Sequence, residues 1–220
     1  MGKVKHRDSV VDLFKKGPVA DISSLKRIMG ENSGYTRLML NRMVKQGRIY
    51  RVTRGKYSLS DDPVLAVFCF KPAYLGLQEA LSIHNLWEQE SNAVVLTTKT
   101  VREGPREING STVLLKRIPV SLFFGIEYKK YGDFYIPVSD IEKTFLDLLY
   151  FGQPIDRDIL HQLKGRMDKK KVEGYLRRYG AAIKEKAGGL LKRGASFAQG
   201  SPAKCKNIKK PRENRPRVGL

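Results

Sequence analysis

Cysteine is scarce in this sequence, and long apolar runs are missing from it. The two cysteines, Cys69 and Cys205, stand far apart, which excludes a disulfide framework and the paired spacing of a zinc site. This usage predicts a reducing, cytoplasmic location. No stretch approaches the roughly 20 apolar residues that a membrane helix needs, and the N-terminus lacks the apolar run of a secretory signal. We therefore expect no membrane partner.

Negative charge is also underrepresented. The 220 residues hold 42 Lys and Arg against 22 Asp and Glu, a formal net charge of +20. The first sixty residues carry 14 cations and 4 acids, residues 61–160 carry 10 and 14, and residues 161–220 carry 18 and 4. The chain is therefore basic at its N-terminal and C-terminal ends and slightly acidic in the middle, which indicates two separate functions.

One long segment, Tyr35 to Leu59, contains no acid at all. Like charge on a folded segment costs stability unless a polyanion neutralises it, so this segment predicts a nucleic-acid partner. Its seven cations are Arg37, Arg42, Lys45, Arg48, Arg51, Arg54 and Lys56.

Three short helices are predicted before residue 47. The segments "RDSVVDLFKKG" and "DISSLKRIMG" place apolar residues at helical spacing and end at glycine, and Ser23 or Ser24 is expected to cap the second helix. The third helix is predicted over about Tyr35–Gln46, with Gly47 ending it. Its expected buried side chains are Leu40, Met43 and Val44.

A β-hairpin is predicted directly after the third helix. Ile49 and Val52 fall on one short strand, Tyr57 and Leu59 on the next, and Thr53-Arg54-Gly55 forms the turn. Three helices and a hairpin in this order are typical of a winged helix-turn-helix, in which the third helix enters the DNA major groove.

The DNA-contacting residues follow from that arrangement. Arg37 and Asn41 suit bidentate contacts with guanine and adenine, whereas Arg42 and Lys45 suit phosphates. The complete predicted set is Tyr35, Thr36, Arg37, Asn41, Arg42, Lys45, Arg51, Arg54 and Lys56, the last three lying on the hairpin.

The composition changes after "DDP", so we predict a second domain over residues 61–193. The run "PVLAVFCF" is consistent with either a buried strand or a short buried helix, and "NAVVLTTKT", "STVLLKRIPV" and "DFYIPV" predict a small sheet. Helices are predicted in "LGLQEALSIHNLWEQ" and "VSDIEKTFLDLLYFG", and three further helices C-terminal to these. Ser139 and Glu142 have the spacing of a capping box. The fold class is therefore α+β, a winged helix-turn-helix joined to a mixed α/β domain.

Catalytic and cofactor motifs are not apparent. The histidines His6, His84 and His161 lack metal spacing, and His84 fits a hydrogen-bonded structural role. Lys143 and Asp147 are four residues apart, which predicts an ordinary ion pair facing away from the apolar stripe. We expect no enzyme and no cofactor. A nucleic-acid-processing enzyme would need acids of the middle domain such as Asp133, Asp140 or Glu142.

Two further alternatives concern binding. An RNA-binding accessory protein would also be basic, but it would need exposed aromatic residues, of which Tyr35 is the best candidate. Residues 194–220 form a basic segment rich in Pro and Gly that predicts disorder, either as an electrostatic arm or as a tail without a role. The oligomeric state stays open.

Three segments in register resemble a known family. "GRIYRVTRGKYSL", "PAYLGLQEALSIHNL" and "IPVSDIEKTFLDLLY" resemble the AbiEi-type antitoxins and transcriptional regulators of toxin–antitoxin operons. The family tends to have His-Gly-Leu where this chain has His84-Asn85-Leu86, and Asn is the common substitute for Gly at such a helix end. The resemblance implies an autorepressing antitoxin that binds the double-stranded operator DNA of its own operon, and a nucleotidyltransferase-fold toxin as the usual partner.

Overall fold

The computed structural model describes Phe14 and residues 17–29, 33–87 and 92–192. The predicted first helix, apart from Phe14, and the predicted disorder of residues 194–220 lie outside the described residues. The fold class is the predicted α+β class: N-terminal helices with a small sheet, a central mixed sheet, and helices towards the C-terminus.

The N-terminal region contains two described helices and three described strands. They are β1 (Ala20–Asp21), α1 (Ile22–Met29), α2 (Ser33–Lys45), β2 (Tyr50–Thr53) and β3 (Lys56–Ser58). The strands pair antiparallel in the order β1-β3-β2. The predicted hairpin is confirmed, with Gly55 at φ 76° in its turn.

Helix α1 is capped by a different residue from the one that we predicted. The carboxylate of Asp21 accepts a hydrogen bond from the backbone N–H of Ser24 at 2.9 Å, so the helix begins at Ile22 and both serines lie within it. Asp21 is available as the cap because β1 ends there. The backbone N–H of Ile22 also donates to the carbonyl of Gly55 at 2.8 Å, which ties α1 to the hairpin turn.

Helix α2 is terminated as predicted by Gly47, which follows the helix with φ 64°. The backbone N–H groups of Gly47 and Arg48 donate to the carbonyls of Val44 and Met43, each at 3.0 Å. This pair of bonds is the Schellman motif. The region has its own core, formed by Phe14, Ala20, Leu25, Leu40, Met43, Ile49 and Tyr57.

Six of the described strands form the central sheet. They are β4 (Ala73–Leu75), β5 (Ala93–Thr97), β6 (Gly104–Ile108), β7 (Ser111–Arg117), β8 (Ile126–Tyr131) and β9 (Phe134–Ser139), in the order β6-β7-β5-β4-β9-β8. β5 with β7 and β4 with β9 are parallel, and the other pairs are antiparallel. The three predicted strands are β5, β7 and β9, and the ambiguous run "PVLAVFCF" is a 3-10 helix over Pro63–Cys69.

The remaining described helices are α3 (Leu77–Ile83), α4 (Ile141–Tyr150), α5 (Arg157–Arg166), α6 (Lys169–Leu176) and α7 (Ala181–Lys192). Their apolar faces pack with strands β4 and β5 in a core that contains Leu81, Leu96, Phe145 and Leu163. None of the helices in the described ranges combines the length and the apolar character that a membrane crossing requires.

A second core joins the N-terminal hairpin to the central sheet. Val52 of β2 is buried in one cluster with Val64 of the 3-10 helix and with Ile108 and Val113 of β6 and β7. The hairpin is therefore packed against the edge of the sheet that β6 forms.

Candidate nucleic-acid interface

Helix α2 divides into a buried face and an exposed face. Leu40 and Met43 are buried against α1 and the hairpin, as the sequence predicts. The opposite side is exposed over its whole length, and we call it the helix face: Tyr35, Arg37, Leu38, Asn41, Arg42 and Lys45. Since α2 has no acid in its first turn, the partial positive charge of its N-terminus adds to these cations.

Leu38 belongs to this face although its type gave no signal. Its side chain is 51% exposed, which is more than the 41% of Tyr35. An exposed Leu and an exposed Tyr among cations provide apolar contact area for base edges such as the thymine methyl group. The helical spacing of three residues between Tyr35 and Leu38 could have indicated this shared face.

Thr36 is the exception among the predicted helix residues. Its exposure is 0%, so its side chain does not reach the helix face and the predicted base contact is wrong for this residue. The reason is helical geometry: Thr36 lies four residues before Leu40 and points into the same core.

The hairpin residues do not form one group. Arg51 and Arg54 line a cleft of about 530 Å³ between β2 and β6. Lys56 lines a different cleft, which also contains Asp21 and Asp133. Lys56 lies opposite Asp21 in the register of strands β3 and β1. Hydrogen bonds from Ser23 and Ser24, with a smaller contribution from the charge of Lys56, hold the pKa of Asp21 below its usual value. We therefore separate Lys56 from the two arginines.

The middle of the chain contains a charged pair that is more deeply buried than its spacing indicates. Lys143 and Asp147 of α4 are ion-paired as predicted, but both are 0% exposed, so facing away from the apolar stripe does not place them at the surface. The reason is that α4 is covered on several sides, by Tyr74 of β4 and Tyr179 after α6 among others. Tyr74 donates to Asp147 at 2.8 Å and Lys143 donates to Tyr74 at 3.1 Å.

Burial governs the protonation of this pair. It lowers the pKa of Lys143 and raises that of Asp147, while the attraction between the two charges opposes both shifts. The Lys143 ammonium also lies 5.2 Å from the ring centroid of Phe124. Because solvent does not reach either side chain, this geometry favours a structural role over a catalytic one.

The start of α4 differs from the predicted capping box. Asp140 is the cap, and its carboxylate accepts from the backbone N–H of Lys143 at 2.7 Å. Ser139 is the last residue of β9, and its hydroxyl lies 2.7 Å from that of Thr144. Glu142 instead accepts from the backbone N–H of Asp168 at 2.9 Å.

Lys171 bridges the two acids at this helix start. Its ammonium lies 3.1 Å from Asp140 and 2.8 Å from Glu142. Partial burial raises the pKa of Glu142, but the bonds from Lys171 and Asp168 outweigh it and the net shift is downward. Tyr175 donates to Asp140, and burial with this bond raises the pKa of Tyr175 to about 12. Asp133 precedes β9 and Asp140 follows it, so the three acids weighed for an enzyme lie at opposite ends of one strand.

His84 is the hydrogen-bonded structural histidine that we predicted. Its Nε2 lies 2.8 Å from the carbonyl of Ser139, and its Nδ1 lies 2.9 Å from the ammonium of Lys129. Since ammonium only donates, Nδ1 accepts and Nε2 carries the proton. Burial lowers the pKa of His84 and favours this neutral form. Among the described residues, no three His, Cys, Asp or Glu side chains gather as metal ligands.

Two exposed tyrosines lie away from the helix face. Tyr128 on β8 is 71% exposed and Tyr135 on β9 is 60% exposed, so Tyr35 is not the best exposed aromatic residue, contrary to our prediction. The two rings share one face of the β8–β9 pair, because Tyr135 lies opposite Lys130 and Tyr128 is two residues before Lys130. Alternation along the strands could have indicated their exposure.

In comparisons with known proteins, one region of the chain matches a family model, and most of the chain has the fold of a solved structure. No curated protein matches the sequence. The crystal structure of the RV2827C protein from Mycobacterium tuberculosis is similar at a TM-score of 0.57 and 13% sequence identity, covering 87% of this chain and 78% of that one. At this identity the similarity establishes the fold alone. Residues 10–60 match the family model described as "Transcriptional regulator, AbiEi antitoxin". The N-terminal region, which contains helix α2 and the hairpin, is therefore the part of the chain that is similar to this family.

Proposed function

We propose that this protein is a transcriptional regulator that binds duplex DNA through its N-terminal region and acts as an autorepressing antitoxin. The observation that carries the proposal is the helix face: four cationic or amide side chains, Arg37, Asn41, Arg42 and Lys45, lie exposed on one helix followed by a basic hairpin. The match of residues 10–60 to a transcriptional regulator family supports the same function.

The mechanism follows from the types of side chain. Helix α2 enters the major groove, where Arg37 and Asn41 donate and accept hydrogen bonds at base edges. Arg42 and Lys45 contact phosphates and fix the position of the helix without specifying sequence. Arg51 and Arg54 of the hairpin add phosphate contacts, whereas Lys56 lines a different cleft and lies opposite Asp21 in the strand register.

The proposed partners are the operator DNA of its own gene and a toxin. A nucleotidyltransferase-fold toxin encoded beside this gene is the partner that the family resemblance implies. In this proposal the chain acts by binding and has no catalytic step of its own, which agrees with the burial of Lys143 and Asp147.

The experiment compares a duplex from the region upstream of the gene with a scrambled duplex of the same length. If Arg37 contacts a base, Arg37→Ala should reduce discrimination between the two duplexes by about 1–3 kcal/mol. Arg42→Ala, a matched control on the same helix, should weaken both duplexes alike. Fluorescence anisotropy titrations measure both affinities. Wild-type protein that binds neither duplex would refute the proposal.

RNA binding is a second candidate because Tyr128 and Tyr135 are exposed on adjacent strands, with Lys130 paired to Tyr135 in the register. Exposed aromatic rings beside a cation suit stacking with single-stranded bases. Competition of single-stranded RNA against the upstream duplex separates the two functions. RNA that displaces the duplex at equal concentration, with the loss of this competition in Tyr128→Ala, would favour the RNA function.

A further inference from the structure

The cleft between the hairpin and strand β6 concentrates arginine from two parts of the chain. We call it the arginine cleft. Arg51 and Arg54 come from the N-terminal hairpin, and Arg102 and Arg106 come from the segment that leads into and forms β6. Its full lining is Arg51, Val52, Thr53, Arg54, Phe70, Val101, Arg102, Arg106, Glu107 and Ile108.

The hairpin and strand β6, which form the two sides of the cleft, are held together by apolar packing. Val52 of β2 and Ile108 of β6 are buried in one cluster, at 2% and 4% exposure. In β6, Arg106 and Ile108 are two residues apart and share a strand face, so Arg106 is directed to the side of the sheet on which the hairpin packs. The Arg106 guanidinium also donates to the carbonyl of Arg102 at 2.8 Å. The cleft is therefore held by the core at its base.

Charge in the cleft is not neutralised within the described residues. Four guanidinium groups face one carboxylate, Glu107, and none of the four forms an ion pair with a described residue. Guanidinium groups held close together repel each other, and this repulsion is relieved by an anion. The planar donor fork of arginine matches the geometry of phosphate.

The open shape of the cleft suits a nucleic-acid backbone better than a small molecule that a pocket encloses. Arg51, Arg54 and Arg102 are exposed and Arg106 is half-buried, so the cleft is open to solvent. Small-molecule sites usually enclose most of the ligand surface. An open basic cleft beside the hairpin instead suits an extended sugar–phosphate chain, with Phe70 and Val101 as its apolar floor.

We propose that the arginine cleft is a phosphate clamp in which Arg102 and Arg106 of the central sheet, with Arg51 and Arg54, hold the backbone of the DNA that helix α2 contacts. This inference rests on the proposed function and extends it, because it assigns DNA contacts to residues outside the N-terminal region. In this arrangement the central sheet extends the contact between protein and DNA beyond the helix face.

The test is the salt dependence of binding for the double variant Arg102→Ala/Arg106→Ala. Each lost phosphate contact removes about 0.9 from the slope of log affinity against log salt, so the slope should fall by about 1.8. At about 0.1 M salt this corresponds to a loss of affinity of up to about 60-fold, alike for the upstream and scrambled duplexes. Anisotropy titrations over a salt series measure both quantities.

Three further variants make the result specific. Arg157→Ala/Lys184→Ala removes the same two charges from exposed positions that do not line the cleft, and it should keep a slope nearer to that of wild type. Arg102→Lys/Arg106→Lys keeps the charge and should recover most of the slope. Arg102→Ala alone changes one exposed side chain, so it remains informative if the double variant unfolds, and it should lose about 0.9 of the slope.

The outcomes separate this proposal from the proposed function. If wild-type protein binds DNA, Arg37→Ala reduces discrimination, and the double variant keeps the wild-type slope, the clamp is wrong and the regulator function stands. Titration with inorganic tripolyphosphate without DNA tests a free ligand in the same cleft. Tripolyphosphate binding that depends on Arg102 and Arg106, together with an unchanged DNA slope, also overturns the clamp. Wild-type protein that binds no duplex overturns both.

Discussion

At the scale of single residues, the interior of the middle region contains buried polar side chains that depend on their partners, and Lys143 is the clearest example. Its ammonium is enclosed by the rings of Tyr74, Phe124 and Tyr179 and paired with Asp147, with no exposure to solvent. A buried charge is tolerated only when its partner and its hydrogen bonds are both present. Lys143 and Asp147 are therefore mutually dependent, and the removal of either leaves an uncompensated group.

We predict that Lys143→Met lowers the free energy of unfolding by about 3–5 kcal/mol, because Asp147 is then buried without its cation. The double variant Lys143→Met/Asp147→Leu should cost less than Lys143→Met alone, since no buried charge remains. Urea unfolding monitored by circular dichroism measures both. Lys130→Met, an exposed control, should change stability by less than about 0.5 kcal/mol. Additive costs in the double variant would contradict the mutual dependence.

The spacing of four residues between Lys143 and Asp147 predicts the ion pair correctly but not its burial. Helical periodicity shows which residues share a face, whereas burial depends on what packs against that face. Tyr74 and Tyr179 approach α4 from 69 and 32 residues away along the chain, as their bonds to Lys143 and Asp147 show. Contacts over such separations are not encoded in a local pattern. The burial of Thr36, by contrast, follows from a local pattern, because its helical register with Leu40 is visible in the sequence.

At the level of elements, the ends of helices and hairpins follow local chemistry. Helix α3 ends at Ile83 with His84 as its C-cap, and Asn85 follows at φ 56° with its backbone N–H donating to the carbonyl of Ser82. The guanidinium of Arg166 donates to the carbonyl of His84 at 2.7 Å and satisfies a further terminal group. Asn85 is exposed, so its role is confined to the backbone conformation.

Asn85 allows a matched pair of substitutions at one position. Asn85→Ala should destabilise the protein by about 1 kcal/mol, because Ala lacks the short polar side chain whose local hydrogen bonding lets Asn adopt the left-handed region. Asn85→Gly should be close to wild type or slightly more stable, since glycine adopts this conformation freely. Thermal and urea unfolding measure the difference. Equal stability of the two variants would show that the backbone conformation at Asn85 does not limit stability.

The strands show where element prediction fails. Sequence reasoning identified β5, β7 and β9 but missed β4, β6 and β8. Strand β4 is three residues long, which is too short for a period to be visible, and β8 has the polar sequence "IEYKKY" of an edge strand. For β6 a signal was present: Asn109-Gly110 joins β6 to β7 with both residues at positive φ, the usual two-residue hairpin turn.

At the scale of the whole molecule, the sequence predicts the order of elements and the basic N-terminal region, but not how that region meets the rest. The predicted boundary near residue 60 follows from a change in composition and stays a prediction. The arginine cleft depends on Arg102 and Arg106, which lie about fifty residues after Arg51 and Arg54 in the sequence. No local pattern connects them, because a tertiary contact between β2 and β6 brings them together.

That contact leads to a prediction about cooperativity. Val52 lies before the predicted boundary and shares a buried cluster with Val64, Ile108 and Val113, which lie after it. We therefore expect one unfolding transition, with coincident midpoints for far-ultraviolet circular dichroism and for the fluorescence of Trp87, the single tryptophan of the chain.

Val52→Ala tests whether the hairpin and the sheet unfold together. It removes two buried methyl groups and should cost about 2 kcal/mol, lowering both midpoints equally because the cluster spans both regions. Trp87 packs against a different core cluster, the one that contains Leu81 and Phe145. Its fluorescence therefore reports on a part of the molecule that does not contain Val52. Arg48→Ala, at an exposed position, should leave both midpoints in place. If Val52→Ala shifts only part of the circular dichroism signal while the Trp87 midpoint stays fixed, the N-terminal region unfolds independently, and the hairpin no longer provides a fixed wall for the arginine cleft.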